Sequence, residues 1–263
     1  MKISVITPCY NSVNTIERTI KSVVEQDYSD IEYIIIDGNS NDGTLDIIKS
    51  YSGKYRFIKY ISEHDKSMTE ALNKGLKLAS GQIVCSLNAD DEYLPGTINF
   101  VMDKFSKNDI EILVGNTRVI HDKSEKLIYT ATPRSMGNYF LMCALDCLTP
   151  ECSVFFRRTC FEKIGYFNEK IKYTQDYELY LRLIKNGFKF SYFNQDLSNF
   201  FISDEQYSIS AADKMRKEVS SYIEFKYLHF LFRRMRINGL IRTMLKQRRY
   251  KNFSSFIEHV IRK

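Results

Sequence analysis

The sequence predicts an α/β fold, in which a mostly parallel, twisted sheet is flanked by helices. Apolar runs of strand length alternate with segments whose apolar residues recur at helical spacing, and polar clusters follow three of these runs. The chain has 263 residues, of which 44% are hydrophobic, so it can bury the core of one large domain plus an appendage. We expect a domain over residues 1–212, divided into halves at 1–95 and 96–212, and a helical extension over 213–263.

The first half contains four predicted strands that alternate with three predicted helices. The strands cover residues 3–7, 31–36, 56–61 and 82–87, and the helices cover 16–24, 44–51 and 69–79. Polar residues at 11–14 are expected to cap the first helix. Such alternation is typical of parallel strands joined by crossover helices, so we expect the four strands to be parallel.

The second half has a looser pattern. Strands are predicted at residues 110–116, 126–129 and 152–157, and a helix at 178–186, directly after Thr174-Gln175-Asp176. Beyond Asp213 the sequence is helical in pattern, apolar and basic. No internal repeat is visible in the sequence.

Three polar clusters follow predicted strands of the first half, at residues 8–11, 37–42 and 88–91. In open parallel sheets, ligands bind beyond the carboxyl ends of the strands. The coincidence of the three clusters at such ends predicts a binding site there.

Asp90 and Asp91 form the first candidate pair of this site. Adjacent carboxylates at a strand end are hard oxygen ligands suited to Mg²⁺ or Mn²⁺. Because consecutive side chains diverge, we expect one to bind the metal and the other to meet a ribose or the water around the metal. Asn-Ala-Asp-Asp before Pro95-Gly96 is also turn chemistry, so a purely structural role stays open.

Asp37 ends an apolar strand, where a carboxylate can accept hydrogen bonds from a ribose or a base. Asp42, by contrast, is interpreted mainly as a residue that stabilises the start of the next helix. The first loop, Pro8-Cys9-Tyr10-Asn11, is not one of the Gly-rich phosphate loops. A bound diphosphate would therefore need a metal or basic groups to neutralise it.

Asp176 is the candidate general base, which would take the proton of an acceptor hydroxyl. It begins a helix with Tyr177 and Tyr180, in the half of the chain that we expect to bind the acceptor. The alternative, which is compatible, is that Asp176 caps that helix. Lys66 is a candidate contact to a phosphate or base, although a solvated lysine is the default interpretation. His64 is interpreted as structural.

Three stretches together resemble the family 2 glycosyltransferases of GT-A fold. They are the Ser-Val-Ile-Thr-Pro-Cys-Tyr-Asn run at 4–11, the Ile-Asp-Gly-Asn-Ser-Asn-Asp-Gly-Thr run at 36–44 and the Leu-Asn-Ala-Asp-Asp run at 87–91. Residues 62–66 and 71–75 resemble a bacterial branch that builds O-antigen and other surface polysaccharides. The resemblance covers residues 1 to about 200.

The resemblance implies an inverting transfer of a hexosyl or N-acetylhexosaminyl unit from a UDP-, GDP- or dTDP-sugar. It places Thr7, Pro8, Tyr10, Asn11 and Asp37 around the nucleotide. It assigns Asp90 to the ribose and diphosphate, Asp91 to the metal, and the base to the position of Asp176. Asn88 departs from the usual Asp but still offers an oxygen, and Gln175 replaces one member of an acidic pair.

The last 50 residues are strongly basic, with 14 basic and 3 acidic residues from Lys214 to Lys263. Apolar residues recur there at helical spacing, which is typical of helices that lie on anionic membranes. Such docking would suit a lipid-linked saccharide acceptor. Packing of these helices on the first domain, or on a second subunit in a homodimer, is the alternative.

The amino terminus lacks the pattern of a secretory signal, so we expect a cytoplasmic protein, peripheral on the inner face of the cell membrane. Four of the six cysteines, Cys143, Cys147, Cys152 and Cys160, are close in sequence but lack zinc-ligand spacing. They are interpreted as small buried thiols.

Two other functional classes remain as alternatives to an enzyme. One is a non-catalytic nucleotide-binding or scaffold subunit of a polysaccharide assembly complex, against which the retained aspartates argue. The other is a nucleic-acid-binding protein. The sequence shows no nucleic-acid motif and charge alone gives only non-specific attachment, so no nucleic-acid partner is expected.

Overall fold

The computed structural model describes residues 1–133, 150–202 and 212–223. Its strands are β1 Ile3–Cys9, β2 Ile31–Asp37, β3 Ile58–Ser62, β4 Ile83–Ser86, β5 Glu92–Tyr93, β6 Ile112–His121, β7 Lys126–Ala131, β8 Val154–Arg157 and β9 Phe190–Ile202. Its helices are α1 Ile16–Val24, α2 Thr44–Lys54, α3 Met68–Leu78, α4 Thr97–Lys107, α5 Thr159–Ile164, α6 Gln175–Lys185 and α7 Ala212–Tyr222. A 3₁₀ turn, Glu151–Ser153, precedes β8.

The nine described strands form one mixed sheet, in the order β3-β2-β1-β4-β8-β6-β9-β5, with β7 paired to β6. The first four strands in this order are parallel, as predicted. β8 then runs antiparallel to both β4 and β6, and β9 runs parallel to β6. The α/β class is confirmed, and every antiparallel pair includes at least one strand of the second half of the chain.

Both faces of the sheet are covered, so its central strands are apolar throughout. Along β2, Ile34 and Ile36 belong to one core cluster, which includes residues of α3 and α6, while Tyr33 and Ile35 belong to the other, with α1 and α4. This division follows from the alternation of side chains along a strand. Gly75 lets α3 approach β1 closely, because a Cβ there would lie 2.4 Å from Cγ2 of Ile6.

Three local predictions need correction or extension. Residues 11–14 do not cap α1, whose N-cap residue is Thr15, without a side-chain hydrogen bond. The strand predicted at 152–157 is a 3₁₀ turn followed by β8. β9, 13 residues long, was not predicted, since the polar run at 194–196 interrupts its apolar pattern.

Helix α7 packs on the domain, because Val219 and Ile223 are buried in the same core cluster as Leu72 and Tyr177. The described part of the helical extension therefore packs on the core as far as residue 223. The rest of the basic extension lies outside the described residues. Among the described helices, none has the length and apolar character that a bilayer-spanning helix needs.

The thiols of Cys152 and Cys160 are buried and free, as predicted for small core residues. Cys152 accepts a hydrogen bond from Oγ of Ser198. Cys160 donates to the carbonyl of Glu111 at 3.6 Å. The other two members of the predicted cluster, Cys143 and Cys147, lie outside the described residues.

Candidate active site

The carboxyl ends of the parallel strands meet at one edge of the sheet. In the register, Cys9 lies opposite Asp37, and Asp37 lies opposite Ser62. β4 ends at Ser86, which pairs with Ile6 and leads into the Asn88–Asp91 cluster. The three polar clusters that the sequence singled out therefore follow neighbouring strands, as expected for a site at this edge.

The first two clusters are joined by hydrogen bonds between their loops. The amide of Asn11 donates to Oγ of Ser40 at 2.8 Å, and the amide of Asn41 donates to Oδ1 of Asn11 at 3.1 Å. Asn11 has a φ of 47°, a left-handed conformation that asparagine tolerates better than most residues. The ring of Tyr10 beside it is 62% exposed, so it is available for stacking.

Asp42 contributes to the same loops as a structural residue. Its Oδ1 accepts from the amide and the hydroxyl of Thr44, and its Oδ2 accepts from the amide of Val13 at 3.0 Å. It thus stabilises the first turn of α2, the role that the sequence favoured for it.

Two predicted nucleotide contacts, Thr7 and Asp37, have side chains that are fully buried. The hydroxyl of Thr7 is hydrogen-bonded to that of Tyr33 at 3.0 Å. The carboxylate of Asp37 accepts hydrogen bonds from the hydroxyls of Ser40 and Ser62. In this arrangement the Thr7 side chain is turned into the core, and Asp37 orders the loop after β2. Pro8 is also buried, as part of β1.

The Asn88–Asp91 cluster contains one partly exposed carboxylate and one closed from solvent. Asp90 is partly exposed, whereas Asp91 has an exposed fraction of 0%. Oδ1 of Asp91 accepts from the amide of Phe201 at 3.3 Å. Burial, and then the charge of Asp90, raise the pKa of Asp91 well above its usual range, while burial also raises the pKa of Asp90.

Arg18 of α1 fixes this cluster, a role that the sequence did not indicate. Its guanidinium donates to the carbonyl of Asp90 at 2.8 Å and pairs with Asp122 at 3.2 Å. The same group stacks 3.6 Å from the ring centre of Phe201. Helix α1 therefore holds the Asp90 backbone through Arg18, and strand β9 contacts the same guanidinium through Phe201.

The cluster fits a hard divalent cation. Oδ1 of Asn88 and Oδ2 of Asp91 are buried without a hydrogen-bond partner in the described structure, and the carboxylate of Asp90 lies beside them in sequence. Within the described ranges, no three His, Cys, Asp or Glu side chains converge on one point. Mg²⁺ is usually bound by one or two carboxylates of the protein, and substrate phosphates complete its set of ligands.

Asp176 lies in the first turn of α6, after the N-cap residue Thr174. It is therefore not the cap itself, which was the structural alternative. Its Oδ1 accepts from the amide of Tyr177 at 2.8 Å. Burial raises the pKa of Asp176.

Glu151 is a titratable group of the site that sequence reasoning missed. It is 7% exposed, and its Oε1 accepts a short hydrogen bond from the hydroxyl of Ser86, two residues before Asn88. Burial, together with the negative charge of Asp176, raises the pKa of Glu151 to about 8. Glu151 thus interacts with both halves of the site, with Ser86 by a hydrogen bond and with Asp176 by its charge. A glutamate among Pro, Cys and Ser has no sequence signal that distinguishes it from a surface residue.

Glu151 leads to a prediction about stability. An acid whose pKa is 4.5 when unfolded and about 8 when folded destabilises the native state progressively across that interval, by at most about 1.4 kcal/mol per pH unit. The neutral Glu151→Gln variant keeps an oxygen for Ser86 and avoids this cost, so between pH 4.5 and pH 8 its stability should rise relative to that of the parent by about 4 kcal/mol.

Urea unfolding at intervals between pH 5 and pH 8.5 measures this difference. Glu162→Gln, at an exposed position of α5, is the matched control. It should leave the dependence of the unfolding free energy on pH unchanged. If the unfolding free energy of Glu151→Gln depended on pH in the same way as that of the parent, Glu151 would ionise normally.

The segment after β3 also reaches the site. Asp65 is a second acid that sequence reasoning left unused. Its Oδ1 accepts from Nζ of Lys74 at 2.6 Å, while its Oδ2 is buried without a partner in the described structure. The charge of Asp65 contributes to the raised pKa of Cys9, which places the two near each other. Lys66 and His64 are exposed, and no contact of the Lys66 ammonium group is observed among the described residues.

A parallel half-sheet with an acidic cluster at its carboxyl edge, followed by a mixed second half, is an α/β architecture of the GT-A type. The model of the family "Glycosyl transferase family 2" matches residues 4–165, more than half of the chain. The chain belongs to this family.

Curated relatives are similar over the same region. An uncharacterized glycosyltransferase of Rickettsia conorii is 31% identical over 191 residues, which are 70% of this chain and 31% of the relative. The chain spans 31% or 58% of the length of the first four Rickettsia relatives. The Escherichia coli enzyme WfgD, a UDP-Glc:α-D-GlcNAc-diphosphoundecaprenol β-1,3-glucosyltransferase, is 29% identical over 186 residues, with 70% of each chain covered.

Solved structures share the fold. Staphylococcus aureus TarS (residues 1–349, with UDP-GlcNAc) superposes with a TM-score of 0.69 at 20% identity, over 87% of this chain and 67% of TarS. The mannosyltransferase PcManGT of Pyrobaculum calidifontis, with GDP-Man and Mn²⁺, gives 0.62 at 15% identity, over 97% and 82%. At these identities the likeness concerns the fold.

Proposed function

We propose that the chain is an inverting glycosyltransferase that moves a sugar from a nucleotide sugar to a lipid-linked saccharide in the synthesis of a bacterial surface polysaccharide. The observation that carries the proposal is the set of contacts at the carboxyl edge of the sheet. There, Ser86 connects the Asp90 cluster to Glu151, and Glu151 is close enough to Asp176 to feel its charge. In this proposal, groups of the two halves that would meet the donor and the acceptor share one site.

The nucleotide would lie against the two joined loops. The exposed ring of Tyr10 offers a stacking surface for a base, an interaction that contributes about 1–3 kcal/mol where it occurs. Asn11 supports this surface through its hydrogen bond to the second loop, and Asp37 supports it by ordering that loop through Ser40. Lys66, exposed at the same edge, would meet a phosphate or the base.

We assign the metal to Asp90, with Asn88 and Asp91 as the neighbouring oxygens, because Asp90 has the more exposed carboxylate. This changes the assignment that the family resemblance implied, in which Asp91 held the metal. When bound, Mg²⁺ or Mn²⁺ would neutralise charge on the leaving diphosphate. Arg18 keeps the Asp90 backbone in place for this role.

Asp176 would act as the general base. The acceptor hydroxyl oxygen forms the new bond at the anomeric carbon, its proton passes to the Asp176 carboxylate, and the bonding pair leaves with the nucleoside diphosphate. The configuration at that carbon is therefore inverted. A raised pKa suits the task, since a base is most effective when its pKa approaches the working pH.

The acceptor assignment is supported by the printed activity of WfgD, which acts on a sugar linked to diphosphoundecaprenol. The basic extension would hold the protein on an anionic membrane surface where such acceptors lie. We place the protein at the inner face of the cell membrane on this ground. The apolar faces of the extension would serve equally for a homodimer.

Calorimetric titration with UDP-, GDP- and dTDP-sugars, with and without Mn²⁺, tests the proposal, followed by transfer assays on polyprenyl-diphosphate acceptors. We expect metal-dependent binding of one nucleotide class, and transfer or slow donor hydrolysis with it. Binding without turnover across the whole panel would instead indicate a nucleotide-binding scaffold subunit.

A further inference from the structure

The loop before Asp176 is held by a single carboxylate from the far end of the described chain. Glu218 of α7 accepts hydrogen bonds from the amides of Lys172, Tyr173 and Thr174, at 2.7, 2.8 and 3.0 Å. The hydroxyl of Thr174 also donates to it, at 2.8 Å. Four donors from three consecutive residues thus converge on one side chain.

These donors lie directly before α6, because Thr174 is its N-cap residue and Lys172 and Tyr173 precede it. Thr174, the N-cap residue, makes no cap hydrogen bond to α6 with its own side chain. Glu218 instead accepts from the backbone that leads into the helix, and its negative charge near the N-terminus of α6 is stabilising as well. The conformation of the loop therefore depends on α7.

Helix α7 is fixed strongly enough to impose that conformation. Val219 and Ile223 are buried in the core, one and five residues beyond Glu218. The hydroxyl of Tyr222 donates to Oγ1 of Thr174 at 2.8 Å, one helical turn after Glu218. The charge of Asp176 contributes to the raised pKa of Tyr222, which places the two near each other.

We propose that Glu218 is a positioning residue for the transfer reaction. It fixes residues 172–174, and through them the direction in which α6 presents Asp176 to the acceptor hydroxyl. The inference rests on the proposed role of Asp176 as general base. It makes α7, which lies beyond the region matched by the family model, part of the catalytic apparatus of this chain.

Steady-state kinetics of Glu218→Ala test the inference. Since displacement of a catalytic group by about 1 Å can lower a rate about 100-fold, we expect kcat for transfer to fall at least about tenfold, with the donor KM within about twofold of the parent. Glu218→Gln keeps one acceptor oxygen and should recover part of the loss. Ser220→Ala, exposed on the same helix, is the matched control and should behave as the parent.

A double variant separates positioning from a general loss of stability. If Glu218 acts through Asp176, adding Glu218→Ala to Asp176→Asn should cause no further fall in kcat. Hydrogen exchange at the amides of 172–174 should accelerate in Glu218→Ala while exchange in the sheet is unchanged. If Glu218→Ala does not fold, Tyr222→Phe, which removes only the contact to Thr174, replaces it in the same cycle.

The outcomes distinguish this inference from the proposed function. A folded Glu218→Ala protein with parental kcat, beside an inactive Asp176→Asn protein, would overturn the positioning role alone. Losses that simply add in the double variant would also overturn it. A fully active Asp176→Asn protein would remove the base itself, and the inference with it.

Discussion

Asp176→Asn should abolish most transfer while leaving the donor bound. The amide is nearly isosteric with the carboxylate but cannot take the proton of the acceptor hydroxyl. Positioned general bases contribute about 10²–10⁴-fold, so we expect kcat for transfer to fall by about that factor. The nucleotide affinity should stay within about twofold, because Asp176 belongs to the acceptor side of the site in the proposed mechanism.

The pH dependence gives a second measurement of the same prediction. The base works as a carboxylate, so the rate should rise as the pH increases through the pKa of Asp176. Burial raises that pKa, so the acid limb of the profile should lie above the range of an ordinary aspartate. In Asp176→Asn this limb should disappear.

Glu178→Gln is the matched control, because it makes the same change two residues along the same helix. Its carboxylate pairs with Arg182 at 3.0 Å. We expect this variant to keep most of the activity and the parental pH profile. Undiminished transfer by Asp176→Asn would require another base, and Glu151, whose pKa is raised in part by the charge of Asp176, would then be tested.

The position of the site at the carboxyl ends of the strands could be predicted from the sequence, because the end of a strand is visible within a short segment. An apolar run followed by polar residues marks the end of a strand, and parallel strands bring such ends together. Residues 8–11, 37–42 and 88–91 were found in this way. The direction of each side chain could not be found, since Thr7 and Asp37 are fully buried through contacts with Tyr33, Ser40 and Ser62.

Three of the missed residues act through contacts that are distant in sequence. Arg18 meets Asp90 across 72 positions, Ser86 meets Glu151 across 65, and Glu218 meets Thr174 across 44. A pattern within one segment carries no information about such pairs. The antiparallel insertion of β8 between β4 and β6, which brings Glu151 to the site, depends on tertiary packing in the same way.

Asp90→Asn and Asp91→Asn should differ strongly, although they change adjacent carboxylates in the same way. Asp90 is partly exposed, and we assign the metal to it. Loss of a metal contact worth several kcal/mol should lower kcat/KM at least about 100-fold and weaken activation by Mn²⁺. Nucleotide binding should then lose most of its dependence on the metal in a calorimetric titration.

Asp91 is buried, and burial raises its pKa well above the usual range, which disfavours the charged carboxylate. An amide has nearly the same shape and keeps an oxygen for the amide of Phe201. We expect Asp91→Asn to fold and to retain activity within about fivefold, since a change that removes no interaction formed in the transition state costs little. Asp91→Ala should lose stability instead, because a buried acceptor and its volume are removed.

The comparison decides which carboxylate holds the metal. If the Asp91→Asn protein lost Mn²⁺ activation while Asp90→Asn kept it, the buried residue would have to reach the metal, and the cluster would need to open when a nucleotide sugar binds. A loss in both variants would mean that the two oxygens act together. Only a loss confined to Asp90→Asn agrees with the arrangement in this structure, in which Arg18 and Phe201 hold the pair so that one carboxylate faces the solvent and the other the core.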